Sequence, residues 1–262
     1  MMKDILEEIV AHKRTEVQET LQKRRSMKES LRTSASGIIA EFKRKSPSKG
    51  WIHADAQPQD VIPVYARNGA SALSILTDEK YFGGCTEFIR RVREEVDTPI
   101  LRKDFIVHPY QVYEAKVIGA DAILLIAADL TVTEYQELLN LAHNLGLEVL
   151  LEVHDPKELD YLQAGVPDML GVNNRHLGTF HTDVQNSFNI AREMNARVEE
   201  LRAAGVQEED LPVLVSESGI SSPDTVKELR KAGFRGFLIG ECFMKEENPG
   251  QALQDFINQL KK

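Results

Sequence analysis

Ile118-Gly-Ala-Asp-Ala-Ile-Leu-Leu-Ile-Ala-Ala-Asp-Leu-Thr-Val-Thr-Glu-Tyr-Gln-Glu-Leu-Leu-Asn-Leu-Ala-His-Asn-Leu-Gly-Leu-Glu-Val-Leu-Leu-Glu152 contains one complete unit of the architecture. A glycine closes the preceding helical pattern, as C-cap chemistry requires. Ala122–Ile126 is then a short apolar run, Val132–Asn144 repeats its apolar residues at helical spacing, and Glu148–Glu152 is a second short run. Apolar runs of this length, separated by an amphipathic helix, read as buried parallel strands joined by a crossover.

The same alternation extends in both directions. Further apolar runs lie at Gly37–Phe42, Ala72–Leu76, Ile100–Arg102, Met169–Val172, Val213–Ser216 and Gly236–Ile239. Helical patterns fall between them at Pro109–Lys116, Pro156–Ala164 and Pro223–Ala232, with a last one at Gln251–Leu260. Eight βα units between residues 37 and 262 fit an α/β fold of the (β/α)8 TIM-barrel type. No G-x-G-x-x-G follows the first strand, which argues against a dinucleotide-binding doubly wound sheet. Asn174–Leu211 is long for one connection, and a second helix is expected within it near Arg197–Ala204.

Residues 1–36 read as an N-terminal helical extension to a catalytic barrel of residues 37–262. Ile5, Leu6, Ile9, Val10, Val17 and Leu21 form an apolar stripe, predicting a helix over about residues 3–22. A second short helix is expected within the basic, Ser-rich Arg24–Ser36. The stripe on the first helix needs cover, and the βα-loop face of the barrel is the expected place.

Thirty-two Lys+Arg against 41 Asp+Glu give a net charge of −9. That balance argues against a nucleic-acid binder and a polybasic membrane anchor. Two cysteines, Cys85 and Cys242, exclude a disulfide framework and a multi-Cys zinc cage. The first residues carry charge without an apolar core, so no signal peptide is expected, and the reading is a cytoplasmic protein.

Chemistry in such a barrel belongs at the C-terminal ends of the strands. Here the expected strands run out into Glu41 and Lys43, Lys103, Glu152, Asn173 and Arg175, and Glu217 and Ser218. Each has a structural alternative. Glu41 and Lys43 could form a surface ion pair, Arg102-Lys103-Asp104 a solvated charge run, and Glu152 a cap for the helix opening at Asp155-Pro156. Their recurrence at equivalent ends of different strands favours a site. After the seventh and eighth strands, Ser216-Glu-Ser-Gly-Ile and Leu238-Ile-Gly-Glu-Cys place glycines before helices, which suits an anion such as phosphate. Lys43 and Ser46, from the strand that neighbours the eighth, complete that cradle.

These blocks together resemble the indole-3-glycerol phosphate synthase family. The likeness rests on Ile39-Ala-Glu-Phe-Lys-Arg-Lys-Ser-Pro-Ser, Leu76-Thr-Asp-Glu-Lys-Tyr-Phe-Gly-Gly, Leu101-Arg-Lys-Asp-Phe-Ile and Leu151-Glu-Val-His. It continues through Val172-Asn-Asn-Arg-His-Leu, Ser216-Glu-Ser-Gly-Ile and Leu238-Ile-Gly-Glu. The resemblance implies conversion of 1-(2-carboxyphenylamino)-1-deoxyribulose 5-phosphate to indole-3-glycerol phosphate, carbon dioxide and water. It implies no metal or organic cofactor, a phosphorylated small-molecule substrate, and a monomer or weak homo-oligomer.

Carried over by motif, Lys103 resembles the general acid for ring closure, and Glu152 its charge-stabilising partner. Glu41 and Lys43 match a second acid/base cluster. Asn173, Arg175, Glu217 and Ser218 match residues that bind sugar hydroxyls or orient catalytic groups. Ser46, Gly219, Gly240 and Glu241 match the phosphate site, while Phe82, Phe105, Leu124 and Leu177 match the walls around the aromatic ring. Some relatives have Ser where this chain has Glu241, so its side chain is expected to point away from the phosphate. A related phosphate-binding barrel, phosphoribosylanthranilate isomerase, uses a Cys base near the end of the first strand. This chain has Glu41 there. A barrel that only binds a phosphorylated ligand would not need so many ionisable residues at strand exits.

Overall fold

Eight parallel strands close into a barrel in the computed structural model, which describes residue 5 and residues 9–15, 25–176, 178 and 181–262. The strands are β1 (Ile38–Phe42), β2 (Ala72–Leu76), β3 (Ile100–Lys103), β4 (Ala122–Ile126), β5 (Glu148–Val153), β6 (Met169–Asn173), β7 (Val213–Glu217) and β8 (Gly236–Ile239). They pair in chain order, and β1 closes the ring against β8 through Ala40 and Ile239. β3, β5, β6 and β7 each run one residue past the apolar run expected from sequence. Lys103, Asn173 and Glu217 are therefore the last residues of their strands.

Alternation along each strand divides the core into two layers. Ile38, Ala40 and Phe42 pack outward against the helices, while Ile39 joins an interior cluster with Leu101, Leu124, Leu150, Val215 and Leu238. The outer shell includes α2 (Pro58–Arg67), α4 (Glu87–Arg93), α5 (Pro109–Ile118), α6 (Val132–Asn144), α7 (Gln185–Ala203), α8 (Pro223–Lys231) and α10 (Pro249–Leu260). Two short helices, α3 (Glu79–Phe82) and α9 (Glu241–Met244), follow β2 and β8 directly. No described helix is long and apolar enough to cross a membrane.

The barrel is closed at its N-terminal end by α1 (Met27–Thr33). Met27 and Leu31 are fully buried and join the interior cluster with Ala72, Ala122, Met169 and Val213, each the first residue of its strand. Glu148, at the start of β5, accepts hydrogen bonds from Ser26 Oγ (2.5 Å) and from the backbone N–H of Met27 (2.7 Å) and Lys28 (2.9 Å). A carboxylate at that helix end satisfies orphan donors and suits the helix dipole.

Three expectations change. Asn174–Leu211 carries one 19-residue helix, α7, instead of a separate second helix near Arg197. No Gly or Pro interrupts the chain between Gln185 and Ala203, so nothing breaks it. Pro156–Gln163 is a 3-10 helix, and its buried Leu159 and Leu162 stand three residues apart, matching that three-residue repeat. Most of the expected helix over residues 3–22 lies outside the described residues. Residues 9–15 are helical, but Ile5, Ile9 and Val10 are exposed, so the cover expected from the loop face is not seen.

Candidate active site

The inward positions of the strands change character near their C-terminal ends. Two residues beyond Ile39, Leu101, Leu150 and Val215, the same interior face carries Glu41, Lys103, Glu152 and Glu217. All four open into a cavity of about 960 Å³ at the βα-loop face. This is why residues far apart in sequence converge, with apolar layers below them.

Lys103 Nζ stands 3.2 Å from Glu152 Oε2 and 3.9 Å from Glu217 Oε2. Asn173 Nδ2 donates to the other oxygen of Glu152 at 3.0 Å, and Asn173 Oδ1 accepts the backbone N–H of Arg175. Burial opposes the Lys103 ammonium, but the charges of Glu152, Glu217 and Glu41 outweigh it and raise the Lys103 pKa. Burial also opposes ionised Glu152, yet Lys103 first, and then His154 and Asn173, hold its pKa below the ordinary value. Glu217 differs. Desolvation and then the Glu152 charge push it well above the usual carboxylate range, and neither of its oxygens has a hydrogen-bond partner among the described residues.

A second ion pair faces the first, with Lys43 Nζ 2.5 Å from Glu41 Oε1 and both side chains largely buried. Glycines make room for these carboxylates. A Cβ at Gly240 would overlap Glu41 Oε1, and one at Gly171 would overlap Glu217 Oε1. None of the structural alternatives describes these residues. Arg102 is buried and pairs with Asp104 and Glu114, Lys103 is no solvated charge, and the 3-10 helix is capped by Asp155 itself.

The cavity has an apolar part and a part lined by glycines and lysines. Leu76, Phe82, Phe105, Leu124 and Ile126 line one part, with the Phe82 and Phe105 rings 6.1 Å apart. Gly219, Gly240, Glu241, Lys43 and Lys49 line another. The turn after β7 is held by Asn174, whose Nδ2 donates to Ser216 Oγ and Ser218 O at 3.1 Å. Ser218 and Gly219 are both left-handed there.

A family model described as indole-3-glycerol phosphate synthase matches residues 2–256. The chain belongs to that family. A relative of that name from Bacteroides thetaiotaomicron is 56% identical, over 99% of this chain and all of its own. Another, from Carboxydothermus hydrogenoformans, is 44% identical over 83% of this chain and 78% of its own. A chain of the tryptophan synthase α2β2 complex from Pyrococcus furiosus superposes with a TM-score of 0.59 at 14% identity, covering 86% of this chain and 98% of that one. That likeness concerns the barrel alone.

Of the family-motif residues, Glu41, Lys43, Phe82, Lys103, Phe105, Leu124, Glu152, Asn173, Arg175, Glu217, Ser218, Gly219, Gly240 and Glu241 all line the cavity. Ser46 does not, although its buried hydroxyl has no hydrogen-bond partner among the described residues. Leu177 lies outside the described residues. Glu241 is occupied by Lys49, whose Nζ is 2.5 Å from its Oε1.

Sequence reasoning missed Ser48 and Lys49. Lys45–Ser46 pairs antiparallel with Gly50–Trp51, and this hairpin turns Ser48 and Lys49 back to the cavity, where Arg175 Nη1 reaches Ser48 Oγ at 3.2 Å. The basic, Ser-rich run after β1 was the available signal. Asp78 was missed too. It lines the cavity and caps α3 by accepting the Tyr81 and Phe82 N–H groups, which fixes Phe82.

Proposed function

We infer that this chain closes the indole ring, converting 1-(2-carboxyphenylamino)-1-deoxyribulose 5-phosphate to indole-3-glycerol phosphate with release of carbon dioxide and water. It is a carboxy-lyase of tryptophan biosynthesis. The observation that carries the residue assignments is the ammonium of Lys103 set between Glu152 and Glu217 beside an apolar wall.

In the first step the ring carbon bearing the carboxylate attacks the C2′ carbonyl carbon. The carbonyl oxygen takes a proton and becomes a hydroxyl. Lys103 supplies that proton, because an ammonium is both cation and donor. Phe82, Phe105 and Leu124 hold the aromatic ring over the carbonyl, with Leu177 assigned to the same wall by the family resemblance alone, which turns the step into a near-attack geometry. Attack leaves an iminium-like cation, which the ionised Glu152 stabilises. Loss of carbon dioxide returns an electron pair to the ring system. Departure of the new hydroxyl as water, with loss of a proton, then completes the indole.

Glu41 and Lys43 form the second acid/base pair. Asn173, Arg175 and Ser218 bind sugar hydroxyls or orient the catalytic groups. The phosphate dianion is held by Lys43 and the backbone at Gly219, Gly240 and Glu241, while Ser46, matched to the phosphate site by motif, stands behind the cavity wall. With this reading go a catalytic barrel of residues 37–262, an extension of residues 1–36, a cytoplasmic location, and action as a monomer or weak homo-oligomer without nucleic acid.

Incubating purified protein with the carboxyphenylamino-deoxyribulose phosphate and a chelator should yield fluorescent indole product. No product under those conditions would overturn the reading.

A further inference from the structure

Arg102 precedes Lys103 on β3, so alternation turns its side chain out of the barrel while Lys103 points into the cavity. It is only 2% exposed, and the reaction scheme gives it no part. Its Nε donates to Thr77 Oγ1 at 3.1 Å and its Nη1 to the Gln111 carbonyl at 2.9 Å. Nη2 reaches both Asp104 Oδ2 at 3.0 Å and Glu114 Oε2 at 2.7 Å. One guanidinium thus binds the exits of β2 and β3 and the first half of α5. A buried ion pair adds little net stability over apolar packing. A planar fork does, however, fix the geometry of the groups it binds.

What the fork fixes is the segment that carries Phe105. Residues 104–108 belong to no strand or helix, and Phe105 is 43% exposed, so burial holds it weakly. Its backbone is clasped instead. Asp104 Oδ1 accepts the Phe105 N–H at 2.9 Å, and Gln111 Nε2 donates to the Phe105 carbonyl at 2.8 Å. Both partners hang on Arg102, Asp104 by its other oxygen and Gln111 by its own carbonyl. Thr77 Oγ1 donates to the same Asp104 oxygen at 2.5 Å. Gln111 Oε1 accepts the N–H groups of Val107 and His108, which completes the turn into α5. Lys103 has other support: it sits in the ladder opposite Leu76, and its carbonyl accepts the Thr77 N–H at 3.1 Å.

We propose that Arg102 is a positioning residue for ring closure: through Asp104 and Gln111 its guanidinium sets the place of Phe105 in the wall around the aromatic ring. This rests on the role assigned to Phe105 above. Phe105 faces Phe82 at 6.1 Å between ring centres, and Phe82 is set separately by the Asp78 cap of α3. The wall is therefore built from two aromatic rings, each aimed by a polar clasp on its own backbone.

The test is a double-mutant cycle between Arg102→Lys and Phe105→Ala, read as the single-turnover rate and KM. Lysine leaves a cation for Asp104 and Glu114 but loses the fork. Alone, it should lower the rate toward the roughly 10²-fold that a misplacement of about 1 Å costs, with a smaller change in KM. In Phe105→Ala the same lysine should cost little more, because the ring it misplaces is gone. Gln111→Met repeats the cycle at a half-buried position, keeping length while dropping the bonds to Phe105, Val107 and His108. It decides the matter if Arg102→Lys does not fold in a thermal melt, and it should show the same loss of cost without Phe105. Costs that multiply in both backgrounds would overturn the proposal, since they would mark a general loss of structure or an effect passing through Lys103. So would a wild-type rate in the folded clasp variants. Phe105→Ala alone separates the two levels of the argument. If it turns over at the wild-type rate, the role of Phe105 fails and the inference fails with it. If it is slow while the costs multiply, only the inference fails.

Discussion

Gly171 on β6 is the space that Glu217 on β7 occupies, because a methyl group at position 171 would overlap Glu217 Oε1. The neighbouring strands pair Asn173 with Glu217, so the Glu217 side chain slants back across β6. A glycine in the middle of a buried strand is costly without a reason of this kind. Here it lets a carboxyl sit in the interior within 3.9 Å of the Lys103 ammonium.

Gly171→Ala should therefore act on catalysis through Glu217. The alanine fits its strand only if Glu217 moves, and a shift of about 1 Å at a catalytic group can cost about 10²-fold in rate. We expect kcat to fall by that order, with a smaller change in KM. In Glu217→Gln the same alanine should cost much less, since the group it displaces is already lost. Equal costs in both backgrounds, measured by steady-state fluorescence kinetics, would rule out this coupling.

Glu217 should also leave a mark on stability. Its pKa in the folded protein is raised, chiefly by desolvation and then by Glu152. The folded state thus holds a proton that the unfolded chain releases at lower pH. Stability from this group is fully present below the ordinary carboxylate pKa and is lost as pH rises through the raised value. Each unit of elevation corresponds to about 1.4 kcal/mol. Glu217→Gln, a permanent mimic of the neutral form, should melt higher than wild type at pH 8. The difference should narrow toward pH 4.5 in calorimetry. A gap that stays constant across that range would contradict the assignment.

The N-terminal end of the barrel carries a different kind of prediction. Met27 is fully buried at the end away from the cavity lining. Met27→Ala should cost about 2–5 kcal/mol through lost burial and the void left behind. KM and kcat at 25 °C should stay close to wild type, because α1 supports the bottom of the barrel and not the ring pocket. A marked rise in KM with an unchanged melting temperature would assign this segment to the site instead.

The strands were legible because an apolar run between helical patterns has few other readings, and period-two alternation then carries the eye from Leu101 to Lys103 or from Val215 to Glu217. The plug was not. The short helix expected within Arg24–Ser36 is present at Met27–Thr33, but its place as a plug was not readable, because Glu148, its cap, comes from a strand more than a hundred residues away. Ser48 and Lys49 depend on a hairpin whose strands are two residues each, too short to show in a pattern. Gly171 read as an ordinary apolar residue, since its purpose lies in a side chain on the next strand. His154 was visible within Leu151-Glu-Val-His, but its distance to Glu152 depends on how the chain turns after β5.

Lys103 carries the sharpest test of the mechanism. Its ammonium is held between Glu152 and Glu217, and its pKa is raised because those carboxylates and Glu41 outweigh burial. Lys103→Met keeps the aliphatic stem but removes both proton and charge. Loss of a general acid alone is worth roughly 10²–10⁴-fold, and the buried carboxylate of Glu152 is left without its cation. Turnover should collapse, while substrate affinity changes far less because the ring wall and phosphate contacts remain. Lys103→Arg should rescue only slightly. Guanidinium keeps its proton at any accessible pH and presents it in a planar fork, not at the single point that faces the carbonyl oxygen. Single-turnover measurements separate chemistry from product release. A rate for Lys103→Met within a few fold of wild type would remove Lys103 from the proton-donating role.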